Sequence, residues 1–447
     1  MDMKKNLKYL LPLATLLLLL SACQEPEMEV FSSHPSVPST TVLPKPSPTI
    51  APTPEPTPSP TPEPEPGLGP EEREAALQQF LAAVEASFPE PQPFSVVPDE
   101  RGYRSYGSFA VSDVDGAVYL VSRDGPNYSE SLWAWEDGVG NCLYSPGEWT
   151  RCNVNVVGDQ IFMPADMPDG SKGLCSIPCD GRELQLIFED LIDVKLVGRT
   201  VFAMYEGVLF TFPLDRPEEK TVIWTVLPDV RYYEYIPFED GVILHIEDST
   251  PEDYVYASCL YYCGTDGTRK LLDHNIGKYG NVYFNLQVSD GSVYFSNDPG
   301  SDQGPQIYQI NLDTGEKTLC CVIPSLYCFQ VYGGKLYLGF WGGLGGSDYD
   351  GKFSQAELDG SEMKDLVFYQ DGGEQNVLDI MAPMEMAVTK EYLYLYGYSY
   401  AASGQWITRI PLRGNDRQEK VFFYGEWLTP TEFTQAYYAI PFHPQDA

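Results

Sequence analysis

The chain has 447 residues, 43% of them hydrophobic and 13% aromatic, with 64 Asp and Glu against 28 Lys and Arg. The resulting net charge of −36 would meet a phosphate backbone with repulsion in place of counterion release, which sets nucleic-acid binding aside. That apolar content is ample for a large globular head to bury a core.

The first element is a secretion signal. Lys4, Lys5 and Lys8 precede the apolar run Tyr9 to Leu20, interrupted by Pro12. A membrane span needs about 20 apolar residues, so this run is too short to cross a bilayer. It ends in Leu20-Ser21-Ala22-Cys23, which resembles the lipobox of bacterial lipoproteins. The resemblance implies a signal peptide over 1–22 and a mature chain that begins at a lipid-carrying Cys23. The acyl chains of a diacylglyceryl group and of palmitate each contribute about 0.8 kcal/mol per buried methylene, so two or more give stable anchoring. The expected address is the extracytoplasmic face of a bacterial cell membrane, Gram-positive by this reading, with the membrane itself as the first partner.

Residues 23–69 form a tether. Thirteen prolines lie between His34 and Pro66, and from Pro52 onward every second residue is proline. Proline fixes φ and removes a donor, so the segment favours polyproline II geometry. At about 3.1 Å per residue, Pro44 to Pro66 would reach roughly 70 Å. A docking site for a proline-binding module is the alternative, and it suits an exported bacterial chain poorly. A short helix follows over 70–90, opened by Pro70 with acids in its first turn. Leu77, Phe80, Leu81 and Val84 give it one apolar stripe, expected to flank the rest of the fold.

Residues 91–447 repeat one pattern seven times. Turns at Asp115-Gly116, Gly158-Asp159, Gly198-Arg199, Asp240-Gly241, Asp290-Gly291, Gly333-Gly334 and Lys390-Glu391 each introduce an alternating run such as Ala117-Val-Tyr-Leu-Val. A second hairpin follows in most units, as at Asp266-Gly267 and Asp359-Gly360. Four-strand units at this spacing, with no helices between them, predict an all-β fold, a β-propeller of seven blades. Six blades follow instead if the third or the seventh unit is something else. The segment Trp427 to Phe442 is available as a closing strand. Tyr119, Phe162, Phe202, Tyr294, Tyr337 and Tyr394 occupy one position in successive units, and packing between neighbouring blades explains them better than a ligand ring does.

The repeat, clearest at Ser289 to Leu312, looks like the propeller repeats of uncharacterised bacterial lipoproteins, which are similar to YWTD-like and TolB-like propellers. The match covers roughly Gly102 to Gly425, and its motifs are generic. It therefore implies the fold and carries over no functional residue.

Chemistry is sparse. No His-Glu-Xaa-Xaa-His, Gly-Xaa-Ser-Xaa-Gly or phosphate loop occurs, so the chain reads as no enzyme, with no cofactor and no metal site. Of four histidines, His245 lies inside a predicted strand as a satisfied core or channel residue. Cys142 and Cys152 flank Pro146-Gly147 and form the best candidate disulfide, while most other cysteines read as buried small hydrophobes. Asp113/Asp115 and Asp348/Asp350 read as ordinary turn chemistry, although each resembles a fragment of a calcium loop. The loops around Trp341, Asp348, Tyr349 and Asp350, and around Asp298 to Gly304, are the expected binding surface, because loops on a rigid ring carry recognition. The expected function is a lipid-anchored, non-catalytic binding module for an unknown protein, glycan or small ligand. The alternatives are a carbohydrate-active enzyme using channel carboxylates, or a structural subunit of an envelope complex.

Overall fold

The computed structural model describes residues 69–99 and most of 106–432, the larger gaps falling in loops such as 146–153, 298–303, 341–352 and 375–381. The chain divides into Met1–Pro64, which lies outside the described residues together with Cys23, and Glu65–Ala447.

Seven antiparallel blade sheets follow in chain order, with a separate two-stranded hairpin of Tyr369–Gln370 and Gly373–Glu374 between the sixth and the seventh. Blade 1 consists of Val111–Val114, Ala117–Asp124, Ser129–Glu136 and Val139–Tyr144, and blade 2 of Asn155–Val157, Gln160–Asp166, Lys172–Pro178 and Gln185–Glu189. Blade 3 is Asp193–Val197, Thr200–Tyr205, Val208–Pro213 and Thr221–Thr225. Blade 4 is the longest, with Val230–Phe238, Gly241–Thr250, Val255–Gly264 and Arg269–Lys278. Blade 5 comprises Phe284–Ser289, Ser292–Asn297, Gln306–Asn311 and Lys317–Val322, and blade 6 Leu326–Tyr332, Lys335–Phe340, Phe353–Glu357 and Lys364–Asp365. Blade 7 takes Ala382–Val388, Tyr392–Ser399, Gly404–Pro411 and Lys420–Phe423, then adds Glu426–Leu428 outside and Tyr106–Gly107 at its hub edge. The fold is a seven-bladed β-propeller, and both the third and the seventh units are true blades.

Among the described turns the hairpins form where the sequence predicts them, with one shift; Asp115-Gly116 and Lys390 lie outside the described residues. Asp290-Gly291 and Gly333-Gly334 have positive φ at both central positions, the geometry whose twist matches that of the flanking strands. In blade 4, Phe238 pairs with Gly241, so the turn is Glu239-Asp240 and the glycine starts the strand. Glycine is needed there because a Cβ would meet the Cys263 carbonyl oxygen at 2.3 Å.

The once-per-repeat aromatic welds neighbouring blades. Tyr119 clusters with Val154, Val156 and Ile161 of blade 2, and Phe162 with Leu196 and Val201 of blade 3. Phe202 joins Leu244 and Ile246 of blade 4, Tyr294 joins Phe329 of blade 6, and Tyr337 joins Leu393 of blade 7. Tyr394 packs with Val118 and Leu120 of blade 1 and closes the ring. Blade 4 has Ile243 in this place, packed on Val288 and Val293 of blade 5.

At the hub, polar side chains seven residues before those aromatics stitch inner strands together. Lys195 Nζ donates to the Tyr235 carbonyl at 2.6 Å. Gln287 donates to the Phe329 carbonyl at 3.4 Å and accepts from the Val331 N–H at 2.9 Å. Gln330 holds the same place in blade 6, yet its Oε1 is buried without a partner. In the next blade, Tyr106 and Gly107 pair with Val388 and Ala387 along the hub edge. Blade 4 carries the apolar Ile236 at the corresponding position, so that side chain cannot stitch blade 4 to blade 5.

Alternating strand direction gives the ring two faces. Connections between strands one and two, and between three and four, form a turn face; the remaining connections form a loop face. Helix α1 (Pro70–Ser87) buries Leu77, Phe80 and Val84 in the core shared by blades 3 and 4. The segment 94–99 then runs as a strap over the turn face. The Phe94 N–H donates to the Thr265 carbonyl of blade 4 at 2.9 Å, and the Arg199 N–H of blade 3 donates to the Val97 carbonyl at 2.7 Å. The Gly158 N–H of blade 2 donates to the Asp99 carboxylate at 2.9 Å. One extended segment thus ties three consecutive blades.

Candidate ligand face

The strap covers the turn face over blades 2 to 4. Among the described residues, Met363 is exposed in the connection before the last strand of blade 6, and the other large exposed hydrophobic side chains fall into two groups. Ile187, Val222, Leu271 and Leu319 lie on outer strands at the rim, as single aliphatics scattered over a surface. Tyr205, Tyr232 and Phe284 are aromatic, 38%, 47% and 44% exposed, and all three lie at the loop-face ends of their strands. They belong to blades 3, 4 and 5, and so form an arc over three adjacent blades. Tyr205 is presented by the tight Glu206-Gly207 turn, whose residues both have positive φ.

The blade 3 end of the arc, Tyr205, sits in a negative field. The Glu206 charge is the chief influence raising the Tyr205 phenol above its ordinary pKa, with Asp190 and Glu189 adding to it. Beneath Tyr232 the extra length of blade 4 carries polar residues into the seam with blade 5. His245 is 3% exposed and lies between the Tyr232 ring at 5.4 Å and the Tyr283 ring at 5.1 Å. Neither ring nitrogen has a hydrogen-bond partner, and burial lowers its pKa to about 4. Its cross-strand neighbour Glu234 is pushed up by burial, a shift opposed by the Lys195 charge and a hydrogen bond from Tyr232. Two residues along, buried Glu247 accepts a long 3.5 Å hydrogen bond from Ser258 Oγ. Tyr283 keeps its proton far above the ordinary range because it is buried, with the Asp273 charge adding to the effect. Asp273 is paired with Lys317 at 2.5 Å.

These positions revise several expectations. His245 is in the core, but it is not satisfied: the surrounding aromatic rings supply packing and no acceptor. Trp341, Asp348, Tyr349 and Asp350 lie outside the described residues, as does Cys152, the expected partner of Cys142. Cys175, Cys259, Cys263, Cys321 and Cys328 are buried, as small hydrophobes would be, and among the described residues no group of three metal-ligating side chains converges. The arc of Tyr205, Tyr232 and Phe284 escapes sequence reasoning because 31 tyrosines and 21 phenylalanines give no sign of which are left in solvent.

No protein-family model matches this sequence, and no curated protein does. Solved structures share its propeller at low identity. A prolyl endopeptidase is 15% identical over 79% of this chain and 56% of its own, with a TM-score of 0.48. A puromycin hydrolase is 12% identical over 76% of this chain and 56% of its own, with a TM-score of 0.43. The β-propeller domain of the Trilobed protease from Pyrococcus furiosus is 11% identical, with 70% of this chain and 99% of that domain covered and a TM-score of 0.42. The chain thus spans little more than half the length of the first two. These likenesses show the fold alone. The expectation that the chain is no enzyme is corrected by this comparison, in which a prolyl endopeptidase and a puromycin hydrolase stand among the similar structures; at these TM-scores they assign no activity to this chain.

Proposed function

We propose that this chain is a recognition propeller, lipid-anchored through Cys23 at a bacterial cell surface, whose loop face binds a protein partner through cationic groups. The observation that carries the reading is the exposed aromatic arc on blades 3 to 5, with the negative field of Glu206, Asp190 and Glu189 around Tyr205. Aromatic faces and carboxylates both attract Lys and Arg side chains, and the net charge of −36 steers cationic partners towards the surface. The lipobox-like Leu20 to Cys23 and the proline-rich 23–69 segment support the surface address.

Whole protein presented to arrays of short Lys/Arg-rich peptides and of neutral glycans tests this. Basic peptides should bind, and binding should weaken as salt rises. The triple change Tyr205→Ala, Tyr232→Ala and Phe284→Ala should weaken it at least about tenfold, the loss of roughly 1.4 kcal/mol. The rim triple Ile187→Ala, Val222→Ala and Leu319→Ala should leave it intact. Binding to glycans alone, or loss through the rim triple, would overturn the reading.

A further inference from the structure

His245 occupies a seam that differs from its neighbours. Blade 3 is stitched to blade 4 by Lys195, and blade 5 to blade 6 by Gln287, whereas Ile236 denies blade 4 that hub bond to blade 5. The seam closes instead on the apolar cluster of Ile243, Leu260, Leu286, Val288 and Phe295, and beyond it on the Tyr232-His245-Tyr283 stack. An imidazole with two unpartnered nitrogens can sit there only while neutral, because a buried imidazolium would have no acceptor. The titratable and charged groups around it are Tyr232 and Glu234 on the inner strand, with Lys195 beyond Glu234. Glu247 lies on its own strand, Asp273 with its Lys317 partner on the outer side, and Tyr283 on blade 5.

We propose that the seam between blades 4 and 5 is an acid-sensitive joint: neutral His245 keeps it shut, and protonation drives the imidazolium out towards Glu234 and Glu247, parting the two blades at the loop face. The proposal is independent of which ligand that face takes. Its direction follows from linkage. The closed seam binds a proton on His245 more weakly than the open seam does, so closure is complete above the ordinary histidine pKa. It is progressively lost as pH falls from 6.5 towards about 4. Glu234 works in the opposite sense, since its raised pKa favours closure on protonation, and so reduces the net effect.

Hydrogen exchange of the whole protein, corrected for intrinsic rates, reads the joint directly. Between pH 7 and pH 5 the amides of 242–247 and 283–288 should open about tenfold more often, with 160–166 of blade 2 unchanged. His245→Phe, which fills the same slot without a titrating group, should remove that dependence. Should this variant fail to fold, a wild-type NMR titration decides the matter. The proposal stands if the His245 imidazole stays neutral through pH 6 and its protonation below that coincides with seam opening. It falls if His245 titrates near 6.5 without opening, if the seam follows blade 2, or if His245→Phe retains the response.

Discussion

Trp224→Ala should remove about 3–5 kcal/mol of stability, the usual cost of truncating a fully buried tryptophan to alanine. Trp224 is 0% exposed, on the outer strand of blade 3, where it meets the helix and blade 4 in one cluster with Leu77, Phe80, Val84, Cys259 and Tyr261. Its Nε1 donates to Oγ of Ser87, the last residue of the helix, at 2.8 Å. The truncation therefore opens a cavity at a three-way junction and leaves the Ser87 hydroxyl without its donor. Urea unfolding followed by far-ultraviolet circular dichroism measures the loss. Hydrogen exchange should show the helix amides of 77–84 becoming the most labile described part of blades 3 and 4. A loss below about 1 kcal/mol would mean that the helix is not part of this core.

Gly198→Ala carries the second large effect, through the strap. Gly198 has φ +54, and a Cβ there would meet the Val97 carbonyl oxygen at 2.2 Å, a distance no rotamer change can relieve because the Cβ position is set by the main chain and the oxygen belongs to it. The strap must lift, breaking the bond from the Arg199 N–H to Val97 and the bond from the Val97 N–H to Thr200 Oγ1. Two hydrogen bonds at about 0.5–1.5 kcal/mol each, added to about 1–2 kcal/mol for a left-handed alanine, predict a loss of roughly 2–5 kcal/mol. Gly291→Ala isolates the strap contribution: it has φ +68 but nothing within 4 Å of its Cβ position. It should cost only the backbone part, about 1–2 kcal/mol. Equal losses in the two variants, by denaturant unfolding, would show that the strap contributes nothing to holding blades 2, 3 and 4.

The blades were legible because their signals are local. A two-residue turn, an alternating run and an aromatic at fixed offset mark each hairpin, and the same aromatic, from Tyr119 to Tyr394, fills each seam where one occurs. What escaped is what depends on pairing between distant segments. Tyr106-Gly107 gives no local strand signal, and only its partnership with Ala387 and Val388 makes it the hub edge of blade 7. Residues 94–99 read as an extended connection, and become a strap because Thr265, Arg199 and Gly158 present backbone groups along one line. The polar hub residues Asn155, Lys195, Gln287 and Gln330 do have a signal, a polar side chain seven positions before the aromatic, but its meaning appears only when inner strands are placed side by side. His245 shows the same limit from the other side: its strand and burial follow from sequence, whereas its lack of partners depends on Tyr232 and Tyr283 arriving from two other elements.

The separation of a strapped face from a binding face is the claim on which the functional reading rests. Hydrogen-exchange mapping of the whole protein, with and without a saturating Lys/Arg-rich peptide, tests it most directly. The account predicts new protection at 203–208, 230–234 and 283–286, around Tyr205, Tyr232 and Phe284. Protection confined to 94–99, 198–199 and 265–268, on the strapped side, would contradict it.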